Sequence, residues 1–251
     1  MILCVDIGNS RVKWARLRDG VLGPQHAAAH AGWTSADWRA ALFGAGPVEQ
    51  VVASTVAGGS SAAALDEAAR LETGHPARFV ATAREAAGVV NGYADPTLLG
   101  VDRWLAVIAG YHHAGGACVI ADIGTAATVD AVDAGGRHLG GFIVPGPALM
   151  VASLHAGTSD LATRSALGGP TAGAQFADNT RDAIEQGCRL ALAALVERSV
   201  DDAAVPAGPR PRLLLTGGAV AEVLPSLRIT GEVVPDLVLR GIARLLESGR
   251  V

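Results

Sequence analysis

The chain has 251 residues, half of them hydrophobic and 18% charged, with a formal net charge of −4. That length holds one large domain or two modest ones with their own cores, and the composition excludes disorder and an extended coiled coil. The small negative charge gives no electrostatic basis for binding nucleic acid or an anionic membrane.

Ile2 to Asp6 reads as a strand, Gly8-Asn9-Ser10 as a turn and Val12 to Leu17 as the returning strand, with Asp19-Gly20 opening a third. A carboxylate at position 6, with no basic segment or long apolar run before it, argues against a signal peptide. Thr34 to Asp37 starts a helix through Phe43 that Gly44 to Pro47 ends. Gln50 to Ser54 is a short β-rich run, Ala62 to Leu71 a helix, Arg78 to Ala81 a strand and Arg84 to Ala87 a short helix. A helix starts near Asp102 and ends near His112 and His113, which lack a spaced partner for metal binding.

A second half begins near Gly115, dividing the chain into residues 1–114 and 115–251. Ala117 to Ile123 and Ala126 to Val132 form another strand pair, and Arg137 to Val144 a third strand. Asn179 to Arg198 is the longest helical stretch, and Asp201 to Pro211 reads as a loop. Arg212 to Leu215 is a strand, Ala219 to Leu224 a helix, and Pro235-Asp236 opens a last helix through Leu246. Strands mixed with helices in both halves make an α/β protein. The apolar stretch from Trp104 to Val129 is broken by His112, His113, Asp122 and several glycines, so it does not span a bilayer. Cys4, Cys118 and Cys188 lie far apart in apolar surroundings without CxxC spacing, as expected of buried thiols in a reducing cytoplasm.

The informative feature is an internal repeat. Cys4-Val5-Asp6-Ile7-Gly8-Asn9-Ser10 resembles Ile120-Ala121-Asp122-Ile123-Gly124-Thr125-Ala126, at an offset of 116 residues, close to half the chain. So large a period implies two similar halves facing one another rather than a solenoid. A hairpin turning through glycine brings backbone N–H groups close to an anion; Asn9 and Ser10 add neutral donors and Lys13 a charge. Asp6 itself repels phosphate, so its useful role is to hold a hydrated Mg²⁺ that bridges phosphate oxygens. A single Asp-Ile-Gly would be an ordinary turn; two at the ends of matching strands favour a nucleotide site. Leu215-Thr216-Gly217-Gly218, a strand running into a Gly-Gly turn, is where a nucleoside would lie. No Walker A pattern, no Rossmann GxGxxG in a suitable context and no HExxH occurs.

Between the hairpins lie Gly92-Tyr93-Ala94-Asp95-Pro96 and Leu99-Gly100-Val101-Asp102-Arg103-Trp104. Two readings of Asp102 carry equal weight. It is a charge favourable to the helix dipole with Arg103 as its surface neighbour, or it is a general base for a hydroxyl, with Arg103 binding a substrate carboxylate through its planar fork. Trp14, Trp33 and Trp38 read as packing groups.

These elements together resemble the type III pantothenate kinases, of the actin-like, sugar-kinase-like ATPase superfamily. The matching residues are Asp6-Ile7-Gly8-Asn9-Ser10 with Lys13, Tyr93 with Pro96, Gly100 to Trp104, Asp122 to Ala126, Gly141 to Pro147, Asn179-Thr180 and Thr216-Gly217-Gly218. They run in order along nearly the whole chain. The resemblance implies two duplicated actin-like (ribonuclease H-like) subdomains with a cleft between them, and ATP-dependent phosphorylation of pantothenate. It implies that the first hairpin, through Asp6, Ile7, Gly8, Asn9, Ser10, Arg11, Val12 and Lys13, binds the ATP phosphates and Mg²⁺, with Asp6 on the metal. Thr125 would contact ATP, Asp122 would bind a monovalent cation (K⁺ or NH₄⁺), and Asp102 would accept the proton of the pantothenate hydroxyl. Tyr93, Gly100, Val101, Asp102, Arg103 and Thr180 would contact pantothenate. A homodimer in the cytoplasm, with substrate sites near its interface, completes the expectation.

The sequence departs from the family pattern in three places. Ser10 stands where many relatives have Thr, Ala162 follows Thr158-Ser159-Asp160-Leu161 where relatives often carry Pro, and Asp178 replaces a frequent Lys. None of these touches Asp6, Asp102 or Asp122.

Overall fold

In the computed structural model, which describes residues 1–158, 176–207 and 210–249, the apolar run Ile2–Ile7 forms strand β1. It returns antiparallel through β2 (Arg11–Arg18), with Asp6 opposite Lys13 and Ile7 opposite Val12. β3 (Val21–Leu22) and β4 (His26–Ala29) both pair with β2. On the other side of β1 lies β5 (Gln50–Thr55), parallel to it, followed by β6 (Arg78–Phe79). The sheet order is β3-β2-β1-β5-β6, with β4 off that path.

Alternation along β1 sends Leu3, Val5 and Ile7 to one face, where they bury against Trp38 and Leu42 of α1 (Ser35–Phe43) and Leu65, Ala68 and Ala69 of α2 (Gly59–Thr73). Helix α1 starts as its sequence suggests, with a reciprocal cap between Thr34 and Asp37. α3 (Val101–Ala114) packs against β5, and the last helix (Leu237–Glu247) packs against β1.

The segment Arg84 to Ala87 is not helical. Glu85–Ala86 (β7) and Val89–Val90 (β8) form a two-stranded hairpin. Ala87 and Gly88 take φ of 48° and 78°, the two-residue turn that matches strand twist. The favourable helix propensity of Arg-Glu-Ala-Ala loses to that turn.

β9 (Cys118–Ile123) and β10 (Ala126–Val132) form the second hairpin, flanked by β11 (His138–Pro145) on one side and by β12 (Arg212–Thr216) and β13 (Glu232–Val233) on the other. The order β11-β10-β9-β12-β13 repeats that of the first sheet, with β9 antiparallel to β10 and parallel to β12. The duplication read from Asp-Ile-Gly therefore extends to strand order and direction. The repeat is not complete: Ile7 pairs with Val12, whereas Ile123 pairs with Ala127, so the second turn is one residue tighter.

α4 (Pro147–Gly157) follows β11, and α5 (Thr180–Ala207) lays Leu192, Val196 and Val200 over Val119, Ala121 and Ile123. α5 runs well past Arg198 through residues read above as a loop. Ala203 is buried on its apolar face, and Arg198 bonds Asp202 one turn on at 2.7 Å. α6 (Val220–Val223) and α7 (Leu237–Glu247) complete the chain. By contact density the chain forms two units. Unit 1 comprises residues 1–116, 135–140 and 236–251, and unit 2 residues 117–134 and 141–235. Ser159, Asp160, Leu161 and Ala162 lie outside the described residues.

Candidate active site

In unit 1 the turn after β1 is built from the main chain outward. Ile7 and Val12 are wholly buried, so they can offer a ligand only their backbones. Gly8 N–H donates to Arg11 C=O at 3.0 Å, closing the turn and leaving Asn9, Ser10 and Arg11 exposed around it. Asp6 is buried at the strand end, and Ser54, beside it on the parallel strand, donates its hydroxyl to Asp6 Oδ1 at 2.9 Å. That bond holds one carboxylate oxygen in place. Lys13 is half-buried at the cross-strand position from Asp6, where side chains of facing residues lie on one side of the sheet.

No group of three or more His, Cys, Asp or Glu residues able to hold a metal occurs among the described residues. A carboxylate beside a hydroxyl suits a divalent ion that keeps several waters and shares phosphate oxygens, as Mg²⁺ does, rather than one caged by protein.

Also in unit 1, the segment before α3 brings together Tyr93, Gly100, Asp102 and Arg103. Arg84 reaches the loop main chain, donating to Tyr93 C=O at 2.7 Å and Ala94 C=O at 2.6 Å. Asn91, buried, accepts from Tyr93 N–H at 3.0 Å. The Tyr93 ring stacks on His138 with centroids 6.0 Å apart. Arg103 is buried, not the surface neighbour of one sequence reading, and its Nη1 donates to the Tyr93 hydroxyl at 2.8 Å. Asp102 is half-buried in the first turn of α3, and its Oδ1 accepts from Arg103 N–H at 2.7 Å. A Cβ at position 100 would sit 2.8 Å from that oxygen, so Gly100 is what lets the carboxylate fold back over the helix start. Val101 is half-buried beside it.

Unit 2 repeats the first arrangement with different chemistry. Thr216 stands beside Asp122 in the register that places Ser54 beside Asp6, and is buried. Thr128, not a lysine, lies opposite Asp122. Gly217, at φ 102°, packs so close that a Cβ would lie 2.5 Å from Asp122 Oδ1. The Gly-Gly turn thus seats directly on the strand end. Thr125 is exposed, and its carbonyl accepts from Gly146 N–H at 2.9 Å. Asn179 caps α5, accepting from Asp182 N–H at 3.0 Å, which leaves Thr180 half-buried at the first helical position. Asp178 is exposed and accepts from Asn179 Nδ2 at 3.3 Å.

Ser54, Arg84, Asn91 and His138 were not singled out in the sequence. Ser54 is found only once strand register is known, as is the place of Thr216 beside Asp122, and the Arg84 contacts are to main chain, which leaves no mark on residue type.

Residues 2–202 match the sequence model of the type III pantothenate kinases. A type III pantothenate kinase of Azoarcus sp. (strain BH72) is 39% identical, the match spanning 97% of this chain and 89% of that protein. One from Laribacter hongkongensis (strain HLHK9) is 36% identical over 98% of both. Among solved structures, component A of (R)-2-hydroxyglutaryl-CoA dehydratase from Acidaminococcus fermentans superposes with a TM-score of 0.53 at 15% identity, covering 97% of this chain and 95% of that one. That likeness is one of fold, a duplicated actin-like architecture. With two Asp-Ile-Gly hairpins in matching sheets and relatives of this identity along nearly its full length, the chain belongs to the type III pantothenate kinase family.

Proposed function

We propose that this chain transfers the terminal phosphoryl group of ATP to the primary hydroxyl of pantothenate, giving 4'-phosphopantothenate, the first step of coenzyme A biosynthesis. The observation that carries this reading is the cluster at the start of α3, where Asp102 lies next to a buried Arg103 bonded to Tyr93. A carboxylate to receive a proton and a cation to meet a substrate carboxylate are what a hydroxy acid requires. Because the Tyr93 oxygen accepts from Arg103, the hydroxyl can still donate its own proton to a substrate acid.

Phosphoryl transfer passes through a loose transition state, so placement and charge neutralisation outweigh strong base catalysis. Asp102 holds the attacking hydroxyl in line and takes up its proton. The turn after Gly8 supplies N–H donors to phosphate oxygens, and Lys13 adds positive charge. Asp6, steadied by Ser54, would hold the magnesium ion, which when bound spreads positive charge over the phosphates. Thr125 would contact ATP, Thr180 pantothenate, and Asp122 a monovalent cation, K⁺ or NH₄⁺. We extend the proposal to a homodimer working in the cytoplasm. No helix among the described residues is long and apolar enough to cross a membrane.

The test is an ADP-release assay over a panel of hydroxylated acids and sugars, with and without K⁺. Pantothenate should be the preferred acceptor, and Asp102→Asn should lower kcat by about 10²-fold or more with the KM for ATP retained. Turnover of Asp102→Asn near that of wild type would remove the base assignment. Equal rates in K⁺, Na⁺ and Tris buffers would remove the cation role of Asp122. Sedimentation at assay concentration reads the dimer.

A further inference from the structure

His30 lies just beyond β4, 5% exposed, with its ring 5.7 Å from that of the wholly buried Trp38. Its Nε2 is 2.7 Å from the carbonyl oxygen of Gly8, in the middle of the Asp6 hairpin. A carbonyl only accepts, so Nε2 carries a proton and donates it to Gly8. Its Nδ1 is buried with no partner. The ring therefore makes one polar contact among the described residues, and that contact is to the turn.

We propose that His30 is a positioning residue for phosphate binding, fixing the Gly8–Asn9 peptide so that the Asn9 N–H faces the ligand. The proposal rests on the reading of the Asp6 hairpin as the phosphate loop. A trans peptide is planar, with its C=O and N–H pointing in opposite directions. Holding the Gly8 oxygen inward on His30 therefore aims the Asn9 N–H away from the core, at the exposed side of the turn. Gly8 N–H is already held by Arg11 C=O at 3.0 Å. With both ends of Gly8 tied, the peptide cannot flip and present an oxygen to an anion. In the second hairpin the restraint falls one peptide later, Gly146 N–H donating to Thr125 C=O at 2.9 Å, so the Gly8 carbonyl contact from a side chain is particular to unit 1.

The test compares His30→Leu, which removes the donor and keeps an apolar bulk, with His30→Gln, whose amide can donate from a similar position. Full-length proteins are assayed for KM of each substrate and for binding of ATP and of adenosine. His30→Leu should weaken ATP by about three- to tenfold, the worth of one hydrogen bond, with adenosine affinity and the KM for pantothenate unchanged. His30→Gln should recover most of the loss. Equal weakening of ATP and adenosine, or no weakening of either, overturns the proposal. Lys13→Met separates the underlying reading: if it leaves ATP affinity intact, the hairpin is not the phosphate loop. Should His30→Leu fail to fold, ¹⁵N-labelled wild-type protein titrated with tripolyphosphate decides, since the Asn9 amide resonance must shift; an unmoved Asn9 amide overturns the proposal.

Discussion

Arg103 Nη1 donates to the Tyr93 hydroxyl at 2.8 Å, while its guanidinium carbon lies 5.7 Å from the centroid of the same ring. One tyrosine therefore meets the cation through both its hydroxyl and its ring. Tyr93→Phe keeps the ring and removes the hydroxyl. The KM for pantothenate should rise by about ten- to hundredfold, the range for a hydrogen bond to a charged group, with the KM for ATP unchanged. Steady-state kinetics with each substrate varied in turn checks this. Arg103→Lys should be at least as damaging, because an ammonium cannot reproduce the planar fork.

Ser54→Ala removes the donor to Asp6 Oδ1 and leaves the backbone of β5 untouched. Asp6 Oδ1 then loses that bond, and the concentration of Mg²⁺ giving half-maximal rate should rise by about tenfold. Titrating Mg²⁺ at saturating pantothenate measures it, and an unchanged midpoint would separate Ser54 from the metal.

Helices α3 and α7 touch through Gly241, where a Cβ would meet the Leu105 carbonyl oxygen at 2.3 Å. Gly241→Ala must push the helices apart and should cost about 1–3 kcal/mol of stability. Urea unfolding followed by circular dichroism reads the loss.

Burial pushes the Cys4 thiol up to about 12, and burial does the same to Cys118 despite the nearby Arg212. Unfolding returns both toward 9.0. Below that pH both states keep their protons and these thiols do not affect stability. Between about 9 and 12 the unfolded chain has lost protons that the folded chain retains, so stability falls as pH rises, by up to about 1.4 kcal/mol per pH unit per thiol. A Cys4→Ala, Cys118→Ala double variant should show a flatter decline in urea unfolding free energy across that window.

The two hairpins were legible because Asp-Ile-Gly closes an apolar, β-branched run twice, and both the turn and the strand leave marks on residue type. The start of α3 was legible for the same reason, with Asp102 and Arg103 placed at a helix entry. What escaped depends on register or on main-chain partners. Parallel pairing sets Ser54 beside Asp6, and sets Thr216, read in the sequence only as part of the Gly-Gly turn, beside Asp122. Arg84 and His30 matter through carbonyl oxygens that every residue has. The β7–β8 hairpin was misread because its turn puts Ala87, a helix former, at positive φ. Helix α5 outran the sequence reading because Ala203 still faces the core where the composition turns polar.

Helix α7, although last in the chain, packs against α3 and β1 and belongs to unit 1. The ribosome therefore releases the first hairpin long before the helix that covers its strand has been made. Unit 2 can reach its final contacts while unit 1 still waits for its closing piece. A nascent chain stalled before Leu237 would resist protease along β9, β10 and α5 and remain open to it around β1.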